Sequence, residues 1–235
     1  MNDRILGILA EGLGKILLAS IKVTIPLTII GFALAMVIAM FMALVQYAKV
    51  PVLKQISRIY IWIFRGTPLL VQLFLAYFGL PKLGIVMDAF PCAVMVFALN
   101  EGAYCAETMR SALEAVPEGQ MEAGYCVGMN YLQIMWHVVI PQALRTAFPP
   151  LSNSVISMLK DTSLAATITV ADMFMAAQKI VGRTYEPLWL YSEVALVYLA
   201  YSTVLTIIQR YYEKKLSAYN TRSSEPSEVK AQGGN

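Results

Sequence analysis

Charge, histidine and cysteine are all scarce in this 235-residue sequence, and each shortage removes a class of function. Charged residues make up 14% of the chain against 58% apolar residues, so it lacks the polar surface that a soluble domain of this length needs. His137 is the only histidine. That rules out metal sites built on histidine pairs and argues against a Ser-His-Asp triad, and His137 itself reads as a packing or interfacial residue. Cys92, Cys105 and Cys126 are unevenly spaced and form no C-x-x-C pair, so small buried apolar residues are expected and a disulfide is not. A phosphate-binding loop is also missing. The nearest stretch, Gly12-Leu13-Gly14-Lys15-Ile16, lacks the first glycine at the required spacing and the Ser or Thr after the lysine. No catalytic residue, metal site or bound cofactor is expected in this chain, and nucleic acid is not an expected partner. Any energy source must be another polypeptide.

Long apolar runs are what the sequence has instead. About 20 residues cross the ~30 Å hydrocarbon layer, and runs of that length cover 16–47, 56–80, 89–113, 147–175 and 188–212. Five spans are expected. The first exceeds one crossing, and Pro26 within it is tolerated in lipid only as a kink. Residues 3–15 are expected to lie along the interface, and to be retained because they lack a signal peptide's short apolar core and small-residue cleavage site. Residues 1–216 then form the transmembrane domain. The rest, 217–235, is rich in Ser, Glu, Lys and Gly and reads as a disordered cytoplasmic tail. Lys49, Lys54 and Arg58 follow the first span, and Arg210, Lys214 and Lys215 follow the last. The positive-inside bias therefore sets both segments, and the loop between spans three and four, in the cytoplasm, with the N-terminus outside.

That loop carries the clearest pattern in the chain. Pro117 suits the start of a helix, Glu118 meets the positive end of its dipole, and Gly128 is a left-handed stop, so a helix of about three turns is expected. Ala123, Gly124 and Gly128 leave its backbone bare for another protein to approach, and Glu122 offers a carboxylate. The spacing from Glu122 to Pro141, with Gly124, Gly128, Val138 and Ile140 at fixed places, resembles the E-A-A-x-x-x-G-x9-I-x-L-P loop of the membrane subunits of bacterial ABC importers. Further segments strengthen the likeness. Phe64-Arg65-Gly66-Thr67-Pro68-Leu69-Leu70-Val71-Gln72-Leu73 resembles the F-R-G-T-P-x-L-V-Q-L stretch of polar amino-acid permeases, and Tyr104-Cys105-Ala106-Glu107-Thr108-Met109-Arg110 their A-Y-x-A-E-x-x-R. Lys160-Asp161-Thr162-Ser163-Leu164, after Pro149-Pro150-Leu151-Ser152-Asn153-Ser154, is most similar to cystine-type permeases.

The resemblance implies an all-α integral membrane protein of the type I ABC importer permease fold, with five transmembrane helices and a cytoplasmic coupling helix in the bacterial inner membrane. It implies ATPase coupling through Glu122, Ala123, Gly124 and Gly128, with ATP and Mg held by a dimer of partner ATPase subunits. An extracytoplasmic binding protein would deliver a polar amino acid, L-cystine or else glutamine, histidine or a basic amino acid, and a second permease copy or relative would complete the pathway. An ion-coupled secondary carrier is the alternative from another class, with Glu101, Glu107 or Asp161 protonated in each cycle.

Polar groups within spans are expensive and face a cavity or a partner. Asn100 and Glu101 in the third span, Gln72 in the second, and Lys160, Asp161, Thr162 and Ser163 interrupting the fourth are therefore the candidate substrate path. A zwitterion needs donors and acceptors together, and an interrupted helix exposes both kinds of backbone end. The bland alternatives are a structural Lys160–Asp161 pair, a Glu107–Arg110 pair one turn apart, and a Gln72 that bonds a neighbouring helix. Thr67-Pro68 predicts a kink or late start to the second span, with Arg65 snorkelling or paired within the bundle.

Overall fold

Helix α1 (Asp3–Ala19), a π-helical turn (Ser20–Thr24) and α2 (Ile25–Tyr47) form one unbroken helix of 45 residues. At 1.5 Å per residue it is roughly 67 Å long, about twice the hydrocarbon thickness. The computed structural model describes residues 3–47 and 51–221, which contain no β-strand. The helix passes Pro26 with the π turn just ahead of it adjusting the register.

The expected separate interfacial segment at 3–15 does not form. Instead α1 packs on α9 (Met173–Thr184) and α10 (Pro187–Thr221). Glycine permits the approach, since a Cβ on Gly12 would stand 2.7 Å from Glu193 Oε2. On the exposed side of α1, Lys15 pairs with Glu11 one turn away.

The bundle is organised around α5 (Ala89–Glu114), against which α2 makes the most extensive helix contact in the fold. Gly31, Ala35, Ala39 and Ala43 recur every fourth residue along α2 and all are buried. A stripe of small residues lets two backbones come close where lipid supplies no hydrophobic drive between helices. Phe97, Gly102, Ala103 and Ala106 on α5 are likewise buried, and a Cβ on Gly102 would meet Ile38 and the Tyr60 hydroxyl at 3.1 Å.

Two of the five expected spans are not straight. The second consists of α3 (Pro51–Gly66) and a segment over Leu69–Leu83 that begins with α4 (Leu69–Phe74), bent by 103°. The cause is local: Pro68 has φ −63° and ψ 137°, an extended backbone that ends α3 and caps α4. The fourth comprises α7 (Tyr131–Ile134), a π turn (Met135–Val139), α8 (Ile140–Asp161) and a 3₁₀ helix (Thr162–Ile168), followed after a 51° bend by α9. Among the described residues three helices are thus long and apolar enough to cross a membrane unaided, and the number is five when each bent pair is counted as one span.

The polar stretch 160–163 ends the α-helix at Asp161, as expected of an interruption, but it does not break the span. Helix tightens there to 3₁₀ and ends later, at Thr169, whose φ of 68° is left-handed. At the far end of the chain α10 reaches Thr221, so the first residues of the expected tail are helical; the remainder, from 222, lies outside the described residues.

Candidate functional site

Helix α6 (Glu118–Cys126) follows α5 after the short turn 115–117, with Pro117 at its N-cap and Glu118 in its first turn. Its C-terminus closes as a Schellman motif. Gly128 has φ 81° and donates to Tyr125 O at 3.0 Å, while Met129 N–H donates to Gly124 O at 3.0 Å. Asn130 then caps α7, accepting from Gln133 N–H at 2.9 Å while Gln133 Oε1 accepts from Asn130 N–H at 2.8 Å. A second tie joins α6 to α8, where Gln142 Nε2 donates to Gln120 Oε1 at 3.2 Å.

The small residues of this helix divide into two roles. Glu122, Ala123 and Gly128 face outward as expected. Gly124 does not: it is buried, and a Cβ there would stand 2.6 Å from Ile134 Cγ1 and 2.9 Å from its Cδ1. Its smallness serves close packing of α6 on α7 rather than approach by a partner. The apolar places of the loop pattern have the same purpose, with Ile140 buried and Val138 half-buried against the same cluster. Outward, the loop exposes Tyr125, Val127, Leu132 and Trp136, the last two being 68% and 67% accessible. That is a large apolar area for a loop, and such patches mark protein contacts. Cys126 is exposed in this helix, unlike buried Cys92 and Cys105, contrary to the expectation that all three are buried.

A cavity of about 850 Å³ lies between the α3–α4 break and helices α5 and α8. Asn100, Glu101 and Asp161 line it, so three of the seven candidate path residues come together. The others stand elsewhere. Lys160 is exposed but off the cavity wall, and its carbonyl accepts from Ser163 Oγ at 2.8 Å. Thr162 is fully buried and donates to Leu159 O at 2.7 Å. Helical geometry explains the split, because successive residues point about 100° apart and only one of 160–163 can share a face with Ser157 and Ser154.

Gln72 sits behind the wall. Its Nε2 donates to Phe64 O at 3.0 Å and Thr67 Oγ1 at 2.8 Å, and its Oε1 accepts from Asn100 Nδ2 at 3.0 Å. It closes the backbone groups freed by the α3–α4 break, which suits a bent span in lipid. The bonded reading of Gln72 holds.

The cavity's cation is Arg65, not Lys160, and its guanidinium lies 5.3 Å from the centre of the Tyr104 ring. The sequence reading also missed Thr67, Asn153, Ser154 and Ser157 on the wall. A signal was available. On α5 polar side chains recur at 100, 101, 104, 107, 108 and 111, and on α8 at 146, 153, 154, 157 and 161, the three-to-four residue rhythm of one helix face. Glu107 lines the cavity too, paired to Arg110, which also binds Glu114.

A five-span helical bundle with an outward docking helix between its third and fourth spans, and a polar cavity walled by those same spans, defines a membrane translocation subunit that takes its energy from outside the chain. Residues 35–218 match the family of binding-protein-dependent transport system inner membrane components, and the chain belongs to that family. Its relatives include the L-cystine transport system permease protein TcyB of Bacillus subtilis, 43% identical over 87% of this chain and 88% of that one. The octopine transport system permease protein OccM of Rhizobium radiobacter is 39% identical over 78% of each chain. Among solved structures, a crystal structure of an amino acid ABC transporter with histidines superposes with a TM-score of 0.84 at 32% identity, covering 92% of this chain and 100% of that one. As a permease the chain is not an enzyme, and ATP hydrolysis belongs to a separate subunit.

Proposed function

We propose that this chain is the permease subunit of an ABC importer for polar amino acids, with L-cystine as its cargo. One observation carries the reading: α6 is joined to α5 by only the short turn 115–117 and tied through α7 and Gln142 to α8, and α5 and α8 are the walls of the polar cavity. A force applied to α6 therefore acts on both walls at once. An ATPase dimer holding ATP and Mg grips α6 through Glu122, Ala123 and the apolar patch beside them, from the cytoplasm. The N-terminus is then outside, where a binding protein delivers cargo, and a second permease copy or a relative completes the path. This chain itself holds no cofactor.

Within the cavity, Glu101 and Asp161 accept from ammonium groups and Arg65 pairs a carboxylate, with Asn100, Ser154 and Ser157 as neutral partners. A volume of about 850 Å³ lies in the upper part of the range for small-molecule sites and suits a doubly zwitterionic molecule such as cystine. The similarity to TcyB supports the same choice. A basic amino acid is the second reading, favoured by the excess of carboxylates over cations on the cavity wall. The arginine transport system permease protein ArgU of Corynebacterium glutamicum is 35% identical over 85% of this chain.

The test is uptake of labelled cystine by the permease reconstituted with its ATPase and binding protein, with unlabelled arginine, histidine and glutamine as competitors. Cystine uptake that only arginine suppresses would replace the first reading with the second. Ala123→Trp, on the exposed face of α6, is expected to leave the complex assembled but to abolish ATP-driven uptake. Unchanged uptake would remove α6 as the coupling element.

A further inference from the structure

A second cavity, of about 380 Å³, opens where α2, α3 and α5 meet, at the end of α5 that leads into the coupling helix. Three cations line it, Lys54, Arg58 and Arg110, against two carboxylates, Glu107 and Glu114. Both carboxylates are taken by Arg110. Lys54 and Arg58, one turn apart on α3, have no ion-pair partner among the described residues, which leaves the cavity with a positive charge in surplus. Gln46 lines the same space. It is only 7% exposed, and its Nε2 has no hydrogen-bond partner among the described residues.

A buried amide donor is rarely left without an acceptor. Two free cations beside it narrow the missing acceptor to an oxyanion, because charge-assisted N–H···O bonds to phosphate are the strong match for lysine and arginine. The source of the oxyanion follows from what surrounds the mouth. Trp62 also lines the cavity and is 75% exposed, and Ile59 and Ile63 on the same helix are exposed around it. Tryptophan beside apolar surface belongs at the headgroup level of a bilayer, and basic pockets between spans on the cytoplasmic side take anionic headgroups.

We propose that this cavity binds the phosphate of an anionic phospholipid headgroup, with Lys54 and Arg58 as its charge partners and Gln46 as the buried donor. The inference rests on the membrane orientation given above and not on the identity of the cargo. A headgroup here stands beside Arg110, whose partner Glu107 is shared with the wall of the larger cavity. The lipid is thereby in contact with the ion cluster at the start of the coupling loop.

The full chain carrying Trp136→Phe and Trp189→Phe, so that Trp62 is its only tryptophan, is reconstituted into phosphatidylcholine nanodiscs. Brominated phosphatidylglycerol is expected to quench Trp62 more than an equal amount of brominated phosphatidylcholine. Lys54→Gln and Arg58→Gln should each reduce that preference about fivefold, the effect of one cation at an anionic surface. Gln46→Leu should reduce it too without loss of thermal stability, since leucine leaves no donor unmet. Equal quenching by the two lipids, or a preference that survives in the Lys54→Gln/Arg58→Gln double variant, would overturn the proposal. Inorganic phosphate added to discs of phosphatidylcholine alone should leave Trp62 emission unchanged. A saturable change would assign the cavity to a soluble phosphate and overturn the lipid source. Because no transport is read, failure here is distinct from failure of the importer reading.

Discussion

Adding one methyl group to the coupling helix, as Gly124→Ala, measures how tightly that helix is locked to the span behind it. The new Cβ would stand 2.6 Å from Ile134 Cγ1, a separation at which something must move. Ile134 is fully buried and has nowhere to swing, so overpacking of roughly 1–3 kcal/mol is expected. Alanine is a better helix former than glycine by about 1 kcal/mol, which offsets part of the cost and leaves a net loss of roughly 0–2 kcal/mol. A single mutant is therefore a blunt test. Ile134→Ala removes the clashing Cγ1 and Cδ1, and in a double-mutant cycle the propensity contribution cancels. The expected coupling is at least about 1 kcal/mol in favour of the double variant, as for residues in direct contact. Heat-induced unfolding of the purified complex reads stability, and uptake per ATP hydrolysed reads the lock's mechanical consequence. A coupling energy near zero, with Gly124→Ala as stable and as well coupled as the parent, would refute the claim that Gly124 is there for packing.

Asp161→Asn is expected to lower uptake per assembled complex with little change in yield, because Asp161 lines the cavity, whereas Thr162→Val should lower yield without changing specific uptake, because its hydroxyl is fully buried on Leu159 O. Equal effects of the two on specific uptake would contradict the separation of these neighbours. For topology, single cysteines at Lys54 and Gln120 in a background free of the native cysteines should resist an impermeant thiol reagent in intact cells and react after lysis. Labelling of the Gln120 position from outside would reverse the orientation.

Much of this architecture was legible because lipid leaves few choices. Runs of apolar residues longer than a bilayer must be helices, and the Pro117, Glu118 and Gly128 signals each describe a local backbone event that needs no tertiary knowledge. What sequence patterns could not convey was direction. Residues 160–163 are four consecutive polar side chains, and only a helix phase tells that Asp161 turns inward while Thr162 bonds its own backbone. The same holds for Gly124, a bare residue whose open side happens to face Ile134, and for the α3–α4 break, where a 103° bend brings Arg65 onto the cavity wall. Composition alone hinted at none of these, although the polar rhythm along α5 and α8 did mark the two walls.

The long first helix also imposes an order of assembly. Ser20 Oγ lies 2.8 Å from the Tyr201 hydroxyl, a contact across 181 positions of sequence, and Thr24 Oγ1 accepts from Met173 N–H at 3.3 Å. Both partners emerge from the ribosome long after the first helix has entered the bilayer. Until then Ser20 and Thr24, each fully buried in the finished protein, lack these partners, and Ser20 Oγ has only its own helix to bond, donating to Leu17 O at 2.7 Å. The first helix to be made is thus among the last to gain all its polar contacts, which close only once α9 and α10 are in place.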